Sequence, residues 1–226
     1  MRNHAGVLFS ILGINFFEEV PTADNLIQLL ADAVQKNTER TVLISGKQHI
    51  TYEQLKRATH AVANMLAQSG IGKGDKVALM LPNIPEFFYS YFGVLKTGAV
   101  VVPLNTSSTP FELTHLLNDS DSRILITQAS QTKKYDDIKN DLLSCHQLIS
   151  IDTLNRNDEL LTGTDGEDLP AADINPEDPA VIIYTAGLTG KSMGAVLTHH
   201  NLCAQLDMIQ PVFQRAPDDI GLALIP

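Results

Sequence analysis

Cysteine is scarce. Only Cys145 and Cys203 occur in 226 residues, with no CxxC pair and no Cys/His spacing. That excludes a disulfide framework and a cysteine-based zinc site, and it fits a reducing compartment, which we take to be the cytoplasm. Charge is also sparse, at 19% of residues, with both signs in every third of the chain, so long disordered tails are not expected. Lys and Arg nowhere form a dense cluster and the formal net charge is −10. A general nucleic-acid surface is thereby excluded, because neutralising a phosphate backbone takes clustered cations. No apolar run is long enough to span a bilayer. The opening MRNHAGVLFSILGINFF is broken at Gly13 and Asn15, meets Glu18 and Glu19, and has no small-residue cleavage site. Residues 1–24 therefore read as an N-terminal extension, amphipathic or packed on the core, and peripheral membrane contact stays open. Internal repeats and low-complexity tracts are absent from the sequence as well.

What is present is a core. Hydrophobic residues make up 44% of the chain, enough to fill one large domain or two small ones. Leu26, Leu29, Leu30, Ala33 and Val34 recur at helical spacing behind Thr22 and Asp24. TVLIS and QHIT follow as short strands, and Thr51 with Gln54 forms a capping box for a helix buried through Leu55, Ala58, Val62, Met65 and Leu66, which Gly70 ends. KVALML is a strand. In the helix after it Pro85 suits the first turn, Gly98 suits the position past the end, and Phe87, Phe88, Tyr91, Phe92 and Leu95 form a core stripe. AVVVPL follows at once, and two wholly apolar strands around one helix are a βαβ unit of a parallel sheet. The alternation continues with a second capping box, Thr109 with Glu112 and Pro110 between them, then the strand RILIT, a helix over about 133–143, and the strand QLISI at 147–151.

The composition turns polar from 152 to 178, which reads as an acidic loop or linker. Order resumes from 179, with the strand AVIIY at 180–184. The doublets Asp136-Asp137, Glu167-Asp168 and Asp218-Asp219 read as solvated charge, and His199-His200 as a cap or surface pair rather than a metal site. The final GLALIP reads as a buried strand that stops inside a sheet. The predicted fold is layered α/β, an α/β/α arrangement. Its first subdomain, 25–151, carries a largely parallel sheet, and 179–226 begins a second subdomain with part of a second sheet.

One stretch carries chemistry: YTAGLTGKSMGAVLTHHN, residues 184–201. Gly187, Gly190 and Gly194 free the backbone, and Thr185, Thr189, Lys191, Ser192 and Thr198 supply donors, as in a loop that holds phosphate. Gly190-Lys191-Ser192 copies the end of a Walker A loop, but Thr185 stands where its first glycine belongs. The residues after Ser192 also read as a turn into a strand, whereas that loop opens a helix.

Tyr184, Thr185, Gly187, Thr189, Gly190, Gly194, Thr198 and His199 instead fall in register with the signature Tyr-Thr-Ser-Gly-Thr-Thr-Gly-x-Pro-Lys-Gly-Val, ending in Thr-His, of the adenylate-forming enzymes. LKTGAVVVPLN, GDKVALMLPNIPEF and ITYEQL are similar to upstream landmarks of the same family, so the resemblance runs from about Asn25 to Pro226. It is nearest in tone to the fatty acyl-CoA synthetases. The resemblance implies ATP, Mg2+ and CoA as cofactors and a small-molecule carboxylate, a fatty acid, as partner. Thr185, Gly187, Thr189, Gly190, Lys191 and Gly194 would then line the phosphate loop, with Thr189 the leading phosphate contact. No catalytic residue and no metal ligand is assigned. Two features depart from the family. Ala186, Leu188, Ser192 and Met193 replace its Ser, Thr, Pro and Lys. The family's later elements are also not in the sequence: an aromatic-His segment, Tyr-Gly-x-Thr-Glu, a ribose-binding Asp, a hinge and a small domain with a catalytic Lys. Two readings result, the N-terminal portion of an AMP-forming acyl-CoA synthetase and a truncated, non-catalytic homologue.

Overall fold

An unbroken apolar run cannot face water on either side, and Lys76–Met80 (β4) is such a run from Val77 onward. Val77, Ala78, Leu79 and Met80 are each 0% exposed, so the strand lies at the centre of the molecule. The computed structural model describes residues 7–9, 23–151, 172–186, 192–213 and 219–223. In it β4 pairs in parallel with Val100–Pro103 (β5) on one side and Ser122–Thr127 (β6) on the other. Gln147–Ser150 (β7) extends the sheet in parallel beyond β6, and Pro179–Ala186 (β8) beyond β5. Ser192–Thr198 (β9) closes that edge antiparallel to β8, giving the order β7-β6-β4-β5-β8-β9.

Helices cover both faces, as alternation along each strand requires. Val77, Leu79, Val101, Ile124 and Ile126 meet Leu26–Asn37 (α1), Tyr52–Gln68 (α2) and Pro85–Lys96 (α3). Ala78, Met80, Val100, Val102 and Leu125 meet Pro110–Asp119 (α4) and Thr132–Asp136 (α5). His199–Phe213 (α6) joins the first layer through Leu202 and Cys203. Val7–Phe9 (β1), Thr41–Ser45 (β2), Gln48–Thr51 (β3) and Gly221–Ala223 (β10) form a separate antiparallel sheet in the order β10-β1-β2-β3.

The local signals act where the sequence puts them. Both capping boxes close reciprocally: Gln54 N–H donates to Thr51 Oγ1 while Thr51 N–H donates to Gln54 Oε1, and Thr109 and Glu112 repeat the exchange. Each satisfies two orphan donors, and losing such a cap costs about 1 kcal/mol. Pro85 opens α3, and Gly98 follows its end at φ +76°, where a side chain would strain the backbone. Of the expected stripe on α3, Leu95 is buried in the core, while Phe87, Phe88, Tyr91 and Phe92 are half-buried and pack against its edge, and burial pushes the Tyr91 phenol up to about 12.

Four details differ from the sequence reading. The cap of α1 is Asn25, whose Oδ1 accepts from Ile27 and Gln28 N–H, rather than Thr22 or Asp24. Three residues so close together can all cap, and propensity alone does not choose among them. The helix expected over 133–143 breaks into α5 and a 3-10 turn at Lys139–Asp141. Leu142 and Cys145, both buried, pull the chain back toward the sheet there. β8 and β9 extend the first sheet, because β8 finds the free edge of β5, and of the strands after 179 it is β10 that joins a second sheet. The second sheet is drawn from residues far apart, β1 and β10, and only the paired core shows that. Asp136 and Asp137 make surface ion pairs with Lys139 and Lys133, and Glu167, Asp168 and Asp218 lie outside the described residues.

α2 and α3 approach most tightly at Gly93, where an added Cβ would come 2.6 Å from Val62 Cγ1. Alanine normally favours a helix over glycine by about 1 kcal/mol, but overpacking a filled core costs about 1–3 kcal/mol and wins here. Gly93→Ala should therefore lower stability in urea denaturation by about 1–3 kcal/mol, with part recovered when Val62→Ala is added. A Gly93→Ala chain as stable as the parent contradicts this packing.

Candidate functional site

The glycine-rich stretch folds as an antiparallel hairpin. β8 and β9 pair from Val181↔Leu197 to Ala186↔Ser192, leaving residues 187–191 to join them. A strand, not a helix, follows Lys191, so the Walker A alternative fails on structure. Of the residues assigned to phosphate, Thr185 and Gly194 are described. Gly187, Thr189, Gly190 and Lys191, together with Leu188, lie outside the described residues.

Thr185 is exposed and pairs directly with Met193, which is 66% exposed. Directly opposed residues share a face with Cβ atoms about 4.5–5.5 Å apart. The hydroxyl that matches the signature thus stands beside the position where the signature has its lysine. Along the sequence these two departures and matches are eight residues apart; only the register shows them as neighbours. Ser192 lies half-buried in the pair that closes the ladder.

Gly194 sits within the β9 ladder opposite Tyr184, on the other face from Thr185. A Cβ there would lie 2.8 Å from Ile182 Cγ2 and 3.2 Å from Tyr184 Cζ, so it would clash first with Ile182 and crowd the Tyr184 ring. Tyr184 Oη donates to Asp119 Oδ2 at 2.6 Å. Burial, then that bond, hold the phenol well above its usual range.

The end of the signature is structural. Thr198, counted in the sequence as a loop donor, instead caps α6: its Oγ1 accepts from Asn201 N–H and its own N–H donates to Asn201 Oδ1, both at 3.1 Å. His199 is 1% exposed, and its Nδ1 accepts the Leu26 N–H at 3.3 Å, supplying an acceptor at the start of α1. Its backbone N–H donates to Asp178 O, and Asp178 pairs with Lys73 at 2.6 Å, fastening residues 172–178 to the turn before β4. His200 is exposed. No signal in the sequence pointed to these partners, since Leu26 and His199 are 173 positions apart.

Among the described residues, no three His, Cys, Asp or Glu side chains gather closely enough to hold a metal ion, and no helix is long and apolar enough to cross a membrane. A groove of about 340 Å³ between α1, α2 and the end of α3 contains none of the residues assigned to phosphate.

Comparison with known proteins agrees with this architecture. The profile of the family described as AMP-binding enzyme matches residues 30–226. Tyrocidine synthase 3 of Brevibacillus parabrevis is 30% identical over 197 residues, covering 87% of this chain and 3% of that protein. 4-Coumarate–CoA ligase 2 of Nicotiana tabacum is 30% identical over 204 residues, covering 85% of this chain and 37% of the ligase. The structure of a Mycobacterium tuberculosis fatty acyl CoA synthetase superposes with a TM-score of 0.67 at 29% identity, over 78% of this chain and 35% of that one. The layered α/β fold is that of an adenylate-forming N-terminal region. The chain belongs to the AMP-binding enzyme family, and it spans well under half the length of these relatives.

The buried His199 yields a pH prediction. Burial lowers its pKa below the ordinary 6.5, against the opposing pull of Asp178. The unfolded chain therefore binds more protons as pH falls through 6.5, and stability is lost from there down to the folded value. A protonated Nδ1 also ceases to accept from Leu26. Urea midpoints should fall between about pH 7 and pH 5, and His199→Asn should flatten that dependence. Glu112 and Asp178, both held below their usual range by hydrogen bonds, act separately, below about pH 4. A parent midpoint unchanged from pH 7 to pH 5 contradicts the assignment.

Proposed function

We propose that this chain is the N-terminal portion of an ATP-dependent, AMP-forming fatty acid–CoA ligase working in the cytoplasm. A carboxylate oxygen attacks the α-phosphorus of ATP and pyrophosphate leaves. The CoA thiol then attacks the acyl carbonyl of the adenylate, AMP leaves, and a thioester forms. The β8–β9 hairpin holds the phosphates in this reading. The observation that carries it is the hairpin's register, which ends in a glycine-rich connection flanked by the hydroxyls of Thr185 and Ser192. Hydroxyls and free backbone N–H groups suit phosphate oxygens. Thr189, Gly187, Gly190 and Lys191 would complete the cradle, and Mg2+ would supply charge neutralisation when bound, through ligands other than those assigned here. The relatives' names span tyrocidine, 4-coumarate and fatty acyl groups, so the fatty acid rests on the resemblance of residues 74–105 to fatty acyl-CoA synthetases.

The exposed Met193 favours a second reading, a non-catalytic homologue. A cation beside Thr185 would form a charge-assisted bond to phosphate, about 1.5–3 kcal/mol, and methionine forms none. Transfer of labelled pyrophosphate into ATP, dependent on added fatty acid, separates the readings, since a remnant exchanges nothing.

Titration calorimetry with ATP tests the hairpin itself. Met193→Lys should tighten ATP binding about tenfold and Thr189→Ala should weaken it several-fold, both without a change in urea midpoint. Equal affinities in parent, Met193→Lys and Thr189→Ala would exclude the hairpin as the phosphate site.

A further inference from the structure

The hairpin leaves the sheet almost as soon as it begins. β8 pairs with β5 through Val101↔Val181 alone, whereas its pairing with β9 continues to Ala186↔Ser192. Residues 182–186 and 192–196 therefore form a two-stranded arm beyond the last backbone pairing with β5. A two-stranded ribbon is marginally stable by itself and twists more freely than a sheet. Something outside the ladder must set the direction in which its tip points.

Tyr184 meets that need. Among the described residues of the arm, it alone hydrogen-bonds a side chain of the helical layers, through Oη to Asp119 Oδ2 at 2.6 Å. Asp119 is the last residue of α4, and α4 is held against the sheet by Leu113, Leu116 and Leu117, all buried. The Asp119 carboxylate is itself exposed, but its backbone belongs to a helix anchored in the core, and a carboxylate acceptor makes the bond charge-assisted. The ring is also confined laterally. It packs on the second core cluster and crosses Gly194, where no Cβ would fit. Tyr184 and Gly194 are directly paired, one step along the ladder from Thr185 and Met193. Fixing the first pair orients the second, which faces the opposite side.

We infer that Tyr184, acting through Asp119 and packed across Gly194, is a positioning residue that aims the hairpin at the nucleotide phosphates. The role rests on the phosphate-loop reading of the hairpin, while the tether itself does not. Tyr184 touches no phosphate in this account. It transmits the rigidity of α4 to the Thr185–Met193 pair.

The test uses the full chain with Tyr184→Phe, Asp119→Ala, Asp119→Asn and the double variant Tyr184→Phe/Asp119→Ala. Two quantities are read: ATP affinity by calorimetry, and hydrogen exchange of the amides at 193–195 without nucleotide. Tyr184→Phe keeps the ring and loses only the hydroxyl. It should weaken ATP binding about tenfold and speed exchange at 193–195, with the urea midpoint little changed. Asp119→Ala should match it, and the double variant should be no weaker than either single one. Asp119→Asn, which still offers an oxygen to the phenol, should restore most of the affinity. A Tyr184→Phe chain that binds ATP as tightly as the parent overturns the positioning role. Unchanged exchange at 193–195 overturns the tether. A parent that binds no ATP overturns the phosphate-loop reading instead, so the failures are distinguishable.

Discussion

Burial of β4 on both faces is the constraint on which the rest depends. Because Val77 and Leu79 point one way and Ala78 and Met80 the other, water must be excluded from two sides at once, and a helical layer is needed on each. Crossing helices then become obligatory between parallel strands, which places α3 and α4 on opposite faces around β4. The free edge of β5 that results is where β8 attaches. The candidate site is thus a consequence of core packing: a hairpin hung on one backbone pairing at the edge of a rigid sheet, steadied by the end of α4.

That arrangement explains how one short segment divides its work. Residues of β8 and β9 facing α4, Tyr184 and Gly194, are concerned with fit. Those facing the other side, Thr185 and Met193, are exposed. Thr198 and His199, which complete the family signature, serve neither purpose: they start α6 and complete the start of α1. A signature that looks like a single phosphate device in sequence is, in three dimensions, an exposed face, a packing face and a helix junction. Replacement of its lysine by Met193 touches the exposed face alone, and the packing face and junction keep their residues.

Much of the fold was legible in the sequence because its signals are local. The two capping boxes, Pro85, Gly98 and the apolar strands each fix backbone geometry within a few residues, and each acts as read. What was not legible depends on distance. The split near Lys139 follows from burial of Leu142 and Cys145, and the pairing of β1 with β10 joins opposite ends of the chain. At the site, the glycines and hydroxyls were readable one by one, but the pairing of Thr185 with Met193 and the reach of Tyr184 to Asp119 were not. The first is a matter of register and the second of a contact across 65 positions. Gly194 read as a source of backbone freedom; its place opposite the Tyr184 ring gives it a steric reason.

The central claim is that nucleotide phosphates meet this protein at the outward face of the β8–β9 hairpin. The most direct measurement is amide chemical-shift mapping of the labelled chain as ATP is added. The account predicts shifts concentrated at Thr185, Ser192 and Met193 and fading by Leu197, with the groove between α1, α2 and α3 unaffected. Shifts centred on that groove, or none at the hairpin at saturating ATP, would contradict it.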